Sequence, residues 1–243
     1  MWHGKKVSVG FATYREKNAV REAIEDFLSN EYVDEAVVVN NNAEAGTDEE
    51  VGKTKARLVH ETRQGYGWAF RRALLEASGE YIILAEPDAT FRSEDVGRLL
   101  AYADAFPVVF GSRTNTAMIV PGANMGFVNR LGHTVCATTM RVLFKTPRIT
   151  DVACTMKLFR RDALEKIVPR CSATNSLLVT ELMLVTIDAK IPFVEIPVHY
   201  APRNPNIGES VATATMRQLF KYGWLHYRYI WHFWLLRRGR YSP

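Results

Sequence analysis

Cysteine is scarce in this chain of 243 residues. The three present, Cys136, Cys154 and Cys171, are odd in number and lack metal-ligand spacing. That excludes a disulfide-stapled scaffold and fits buried apolar thiols in a reducing compartment. Long apolar runs are missing as well, since none reaches the roughly 20 residues that cross a bilayer. The N-terminal MWHGKKVSVGFAT has an apolar segment too short for a secretion signal, so a cytoplasmic location is expected. No glycine-rich loop of the Walker or Gly-x-Gly-x-x-Gly type follows the first strand, which removes the usual phosphate cradles. No Ser-His-Asp or Cys-His arrangement is readable from local spacing, and there are no repeats or low-complexity segments. Acidic residues stop at Glu209, whereas Arg217, Lys221, Arg228, Arg237, Arg238 and Arg240 follow it. The net charge of +5 is modest, but its concentration at the C-terminus favours an anionic surface, either membrane or nucleic acid.

What is present is an alternation of strand-like and helix-like segments. Residues 6–13 (KVSVGFAT), 36–39 (AVVV), 57–60, 80–84 (EYIIL) and 108–110 read as strands. Residues 18–29 and 66–77, and a segment starting at Ser93, read as helices between them. Such alternation predicts an α/β fold with a mostly parallel central sheet flanked by helices. Further on, 127–144, 162–168 and 177–189 read as helices, 193–199 as a strand, 201–210 as a Pro/Gly-containing loop, and the segment from Thr213 onward as helical. The expected organisation is one domain over residues 1–212 and a tail over 213–243.

Polar clusters fall where four of the strands finish: Thr13-Tyr14-Arg15-Glu16, Asn40-Asn41-Asn42, Glu86-Pro87-Asp88 and Gly111-Ser112-Arg113. A parallel sheet brings such ends to one edge, where ligands of α/β sheets bind. In Glu86-Pro87-Asp88 an extended backbone places both carboxylates on one side, within reach of one ion. Pro87 suits a strand terminus because it donates no ladder hydrogen bond. Oxygen donors of this kind match a divalent metal, Mg2+ or Mn2+; the alternative is a charged turn capping a strand. The glycines of Gln64-Gly65-Tyr66-Gly67 permit close backbone approach to a ligand, or make an ordinary loop.

These motifs, in this order, resemble the family-2 glycosyltransferases with the GT-A fold, and among them the dolichol-phosphate mannose synthase-like branch. Ala12-Thr13-Tyr14-Arg15-Glu16 is similar to the family's Pro-Thr-Tyr-Asn-Glu, and Glu86-Pro87-Asp88 to its Asp-x-Asp. Phe110-Gly111-Ser112-Arg113 is similar to its Gly-Ser-Arg. Thr150-Asp151-Val152 and Lys157-Leu158-Phe159-Arg160-Arg161 follow the family's next segment, and Glu195-Ile196-Pro197-Val198 with Arg203, Gly208 and Ser210 its ending. The resemblance spans roughly residues 5–212. It departs where Asn40-Asn41-Asn42-Ala43 replaces Asp-Asp-Gly-Ser, where Glu86 replaces Asp, where Ala12 replaces Pro, and where Thr90 replaces a Gln metal ligand.

The resemblance implies inverting transfer of a sugar from a GDP- or UDP-linked donor, mannose from GDP-mannose first, to a polyprenyl phosphate. Ala12, Thr13, Tyr14, Glu16, Asn40, Asn41, Gly65, Glu86 and Pro87 are implied as donor contacts, and Glu86 and Asp88 as metal ligands. Arg113, Arg130, Arg203 and Ser210 are implied at the acceptor phosphate, because guanidinium forks suit phosphate oxygens. Glu181 lies where other family-2 enzymes place a catalytic acid; it could equally be an acid on an amphipathic helix. Asp151 reads as structural or as a sugar-hydroxyl contact. Two other readings stay open: a GT-A enzyme with a UDP-sugar or a non-lipid acceptor, and a degenerate member acting as a membrane-bound partner.

Residues 220–236 (FKYGWLHYRYIWHFWLL) interleave aromatic, aliphatic and basic residues. Independently of the resemblance, that pattern suits the headgroup boundary of an anionic bilayer, so amphipathic interfacial helices on the cytosolic face are expected. The alternatives are packing on the domain or on a second copy. With no recognisable nucleic-acid fold, no nucleic-acid partner is expected.

Overall fold

The computed structural model describes residues 1–205, 207 and 215–239. Its elements are β1 (Val7–Thr13), α1 (Lys17–Ser29), β2 (Glu35–Asn40), α2 (Thr47–Gly52), β3 (Arg57–His60), α3 (Tyr66–Glu76), β4 (Tyr81–Leu84), α4 (Val96–Ala103), β5 (Val108–Ser112), α5 (Phe127–Phe144), β6 (Lys157–Arg160), α6 (Arg161–Ile167), α7 (Leu178–Asp188), β7 (Phe193–Pro197) and α8 (Met216–Gly239). One sheet of seven strands runs β3-β2-β1-β4-β6-β5-β7. The mostly parallel sheet expected from the sequence is present, with one antiparallel strand, β6, between β4 and β5.

Because successive side chains on a strand point to opposite faces, β4 builds both halves of the core. Tyr81 and Ile83 join Ile24, Phe27, Leu99 and Leu100 on one face. Ile82 and Leu84 join Phe70, Leu74, Met140 and Leu182 on the other. Strands sandwiched in this way must be apolar throughout, as Ala36–Val37–Val38–Val39 of β2 is. All three cysteines are buried and unpaired.

Two features lie outside the elements expected from the sequence, and a third decides between stated alternatives. The helix α2 is short and rich in acids, with Thr47 and Val51 buried. The strand β6 falls within the Lys157–Arg161 motif and has no strand pattern of its own in the sequence. It carries Lys157, fully buried and opposite Leu84 and Phe110, with Nζ bonded to the Cys154 carbonyl. Within the tail, Met216–Gly239 form a single helix, α8, rather than several, and it packs on the domain, one of the alternatives to a bilayer interface. His226 and Ile230 are buried, Trp234 Nε1 donates to the Leu143 carbonyl (3.1 Å), and Arg237 pairs with Asp188 (2.6 Å). No described helix is long and apolar enough to cross a membrane.

Candidate active site

The parallel strands deliver their carboxyl ends to one edge of the sheet. Directly after β4, the chain turns through Glu86, Pro87 and Asp88, with Ala89 at φ 68°. That left-handed residue folds Thr90 back, so that its N–H (3.1 Å) and hydroxyl (2.6 Å) both donate to Asp88 Oδ1. Asp88 Oδ2 takes Nε of Arg203 at 3.2 Å, and Nη2 of Arg203 reaches Glu16 Oε1 at 3.0 Å. The other oxygen of Glu16 accepts the N–H groups of Tyr14 (2.8 Å) and Arg15 (2.9 Å). Residues from the ends of β1, β4 and β7 thus meet in one network. Thr13 is buried within it, its hydroxyl 3.3 Å from Glu16, while Tyr14 is exposed beneath Arg15.

Glu86 has neutral partners only. Its Oε1 accepts from Tyr66 Oη (3.0 Å) and Thr155 Oγ1 (3.1 Å). Burial, and then the charge of Asp88, push its carboxyl up to about 7, against the pull of Arg113 and these two hydroxyls. Glu86 is therefore short of positive charge, as a carboxylate waiting for a cation is. Asp88 offers one oxygen already committed to Thr90 and one held by a guanidinium. Among the described residues no cluster of three or more His, Cys, Asp or Glu could hold a metal, so a hard cation here would take two protein carboxylates and complete its shell from phosphate oxygens and water. The oxygen-only donor pair fits Mg2+ or Mn2+ on those terms.

Arg113, leaving β5, spends its fork on Asp151: Nε to Oδ2 at 2.8 Å and Nη2 to Oδ1 at 3.0 Å. His133 Nδ1 lies 3.0 Å from the same carboxylate. Burial opposes ionisation of Asp151, but Arg113 and His133 outweigh it and hold the carboxyl well below the usual carboxylate range. Asp151 is itself positioned by Glu195, which accepts the N–H groups of Thr150 and Asp151. Arg113 therefore acts on Glu86 as a fixed positive charge whose geometry is set from β7.

The remaining sequence-derived residues have other partners. Asn41 donates to the carbonyls of Glu61 (2.8 Å) and Arg63 (2.9 Å) and accepts from Gly65 N–H (2.9 Å). Asn40 bridges Asp48 (2.6 Å) and the Ala43 N–H (2.7 Å). Both amides brace the 40–65 region. The close approach that Gly65 and Gly67 permit is taken by the chain itself. A Cβ at Gly65 would lie 2.4 Å from the Thr174 carbonyl oxygen, and one at Gly67 would lie 2.3 Å from that of Ala173. Glu181 is buried, with both oxygens engaged by Ser172 and Ala173 and with Tyr229 Oη donating to it at 2.7 Å. It pins the loop that seats Gly65–Gly67. Arg130 donates to the Met125 carbonyl (2.7 Å). Ala12 and Pro87 lie at the strand ends as expected. Ser210 lies outside the described residues.

Tyr66 and Thr155, the groups on Glu86, were missed. In the sequence Tyr66 shows only as a helix start, and Thr155 precedes a strand that has no apolar pattern.

The arrangement has counterparts among known proteins. The sequence profile of Glycosyl transferase family 2 matches residues 8–168, from β1 through α6. The low-salt glycan biosynthesis hexosyltransferase Agl6 of Haloferax volcanii is 26% identical over 230 residues, covering 92% of this chain and 52% of the relative. The chain thus spans about half the length of that relative. The dolichyl-phosphate hexose transferase of the same organism is 26% identical over 199 residues, with 81% of this chain and 83% of the relative covered. The dolichyl-phosphate beta-glucosyltransferase of Saccharomyces cerevisiae is 24% identical over 224 residues, with 80% and 66% covered. Among solved structures, glucosyl-3-phosphoglycerate synthase of Mycobacterium tuberculosis with phosphoglyceric acid matches at TM-score 0.72 and 17% identity, over 97% of this chain and 81% of that one. The same enzyme with Mg2+ and uridine diphosphate matches at TM-score 0.65 and 19% identity, over 83% and 72%. At such identity the solved structures establish the fold, which is GT-A. The profile match establishes the rest: the chain belongs to glycosyl transferase family 2.

Proposed function

We propose that the chain is a cation-dependent, inverting hexosyltransferase that moves a sugar from a nucleotide diphosphate onto a polyprenyl phosphate at a lipid surface. The observation that carries this reading is the strand-edge turn with two carboxylates in unequal states: Asp88 is held by the largely buried Arg203, while Glu86 has only hydroxyl partners and feels the charge of Arg113, which is itself bonded to Asp151. A cation between the carboxylates would offset the charge of the leaving diphosphate. The acceptor phosphate is already anionic, so it needs positioning and charge neutralisation more than a general base. Arg203 is the side chain suited to that task, with Arg113 supplying a fixed field behind Glu86. Glu181, its oxygens already spent on the 172–173 loop and Tyr229, is a positioning residue in this reading rather than a base.

Support for a lipid surface comes from α5 and α8, which pack together. Phe127, Leu131 and Val135 are exposed along α5, and Phe220, Trp224 and Leu236 along α8. On α8, the helical spacing puts Phe220 and Trp224 on the same side as Arg217, Lys221 and Arg228, opposite His226 and Ile230. Neither helix contains an acidic residue, and none occurs between Asp104 and Asp151. Apolar and basic groups together, without carboxylates, match an anionic bilayer interface.

The test is a screen of labelled GDP- and UDP-hexoses against a short-chain polyprenyl phosphate in Mg2+ or Mn2+. Label in the lipid fraction, lost on chelation, is the expected result. Transfer to a soluble acceptor with none to lipid would overturn the acceptor, and absence of nucleotide-sugar binding by calorimetry would favour a non-catalytic role. Asn40 and Asn41 are committed to their own chain, so the base is left to the screen.

A further inference from the structure

The two oxygens of Asp88 face different chemistry. Oδ1 is turned inward to Thr90, and Oδ2 is held by Arg203. The pairs Arg203–Asp88 and Arg203–Glu16 are poorly exposed, with 9% of the Arg203 side chain accessible. The segment carrying Arg203 is also laced to the same turn: Ala201 N–H donates to the Thr90 carbonyl (2.9 Å) and Asn204 N–H to the Asp88 carbonyl (3.1 Å). Glu86, by contrast, keeps Oε2 without a hydrogen bond among the described residues, and no guanidinium bonds to it.

A divalent ion shared by Glu86 and Asp88 must use Oδ2, because Oδ1 already accepts two hydrogen bonds. Oδ2 is the oxygen that Arg203 occupies, and two cations at one carboxylate oxygen repel each other in a poorly solvated site. We propose that Arg203 is a resident cation of this site that a divalent ion exchanges for. Binding of the ion releases the guanidinium from Asp88 while Glu16 retains it, which frees N–H donors for a phosphate. The identity of the ion and of the phosphate rests on the glycosyltransferase reading; the exchange itself is a property of Asp88, Arg203 and Glu16. Its signature is opposition: Arg203 works against the cation and in favour of the anion.

Calorimetric titration with Mn2+ alone tests this on the full chain. Arg203→Gln should bind Mn2+ about tenfold more tightly than wild type, equivalent to about 1.4 kcal/mol. Arg203→Lys, which keeps the charge but not the fork, should fall between them. With Mn2+ saturating, inorganic pyrophosphate should bind more weakly to Arg203→Gln than to wild type. A second measurement needs no variant. Labelling of wild-type Arg203 by an arginine-selective dicarbonyl, read by mass spectrometry, should rise severalfold when Mn2+ is added. Wild type that binds Mn2+, with no gain in Arg203→Gln and no rise in labelling, would overturn the exchange and leave the cation reading intact. Failure of both wild type and Arg203→Gln to bind Mn2+ would overturn both.

Discussion

The carboxylates after β4 and the carboxylate after α5 stand at the same edge of the sheet, yet their charges are balanced in opposite ways. Asp151 is closed: Arg113 grips both its oxygens, His133 lies beside it, and its own N–H is fixed by Glu195. Glu86 is open: its partners are two neutral hydroxyls, and its carboxyl is pushed up to about 7. A buried charge that is fully paired contributes to structure, whereas one left short of counter-charge is poised for a ligand. In the proposed reading the first is the frame and the second the workplace, and substitutions should separate them.

The largest effect is expected at Asp88. On the proposed function, Asp88→Ala should lower transfer by on the order of a thousandfold, because the diphosphate charge would lose its cation. Circular dichroism should stay that of wild type. Activity within tenfold of wild type would reduce the Glu86–Asp88 turn to a surface turn.

Next in size is the frame. Asp151→Asn leaves the buried Arg113 without its anion and should cost about 3–5 kcal/mol in urea unfolding. Glu86→Gln should cost far less, because the hydroxyls on Glu86 can bond an amide oxygen as well. Equal losses at the two positions would erase the distinction between them.

The pH dependence gives a third contrast, measured by unfolding in a chelating buffer. Glu86 has a reference value of 4.5 and is raised to about 7 by burial and by Asp88. Between those values the folded chain binds the extra proton, so stability falls as pH rises through the window, by on the order of 3 kcal/mol. Glu86→Gln should remove that fall. Asp151 works in the opposite sense. Its carboxyl is depressed below 3.8, so its contribution is present at neutral pH and is lost only as the solution becomes strongly acidic.

The open region was more legible in the sequence than the closed one. Strand β4, its acidic turn and the polar ends of β1, β2 and β5 are contiguous stretches, and a parallel sheet needs no further information to bring them together. Asn41 could not be read as a brace, because its partners, Glu61, Arg63 and Gly65, lie twenty or more residues away. Glu181 carried no local sign that Tyr229 of α8 would donate to it across 48 residues. Strand β6 was hidden because a four-residue segment bearing Lys157 and Arg160 has no apolar period to detect. The tail was legible as a helix with two chemical sides, but not as one docked through His226 and Ile230.

The seating of α8 bears on lipid binding, where a milder effect is expected. A chain ending before Thr213 should lose most of its flotation with anionic liposomes; unchanged flotation would move the interface elsewhere. The double substitution Lys221→Gln and Arg228→Gln should weaken flotation less, by about 2 kcal/mol at about 1 kcal/mol per basic residue, and the loss should shrink at high salt.

The smallest effect isolates a single hydroxyl. Tyr66→Phe removes one of the two donors on Glu86 Oε1 and leaves the ring in its tilted contact with Phe70, at 4.5 Å between centroids. Thr155 still donates to that oxygen, so Glu86 stays in place but is held less firmly. A net loss of about 1 kcal/mol is expected, a few-fold change. If Tyr66 positions Glu86 for the cation, that change should appear as weaker Mn2+ binding, with the melting temperature nearly unchanged. Thr155→Val should resemble it, and combining the two should cost more than their sum, because the second removal strands Oε1 without a donor. A lowered melting temperature with unchanged Mn2+ affinity would instead assign both hydroxyls to the frame, and the line between the open and closed carboxylates would have to be redrawn at Glu86 itself.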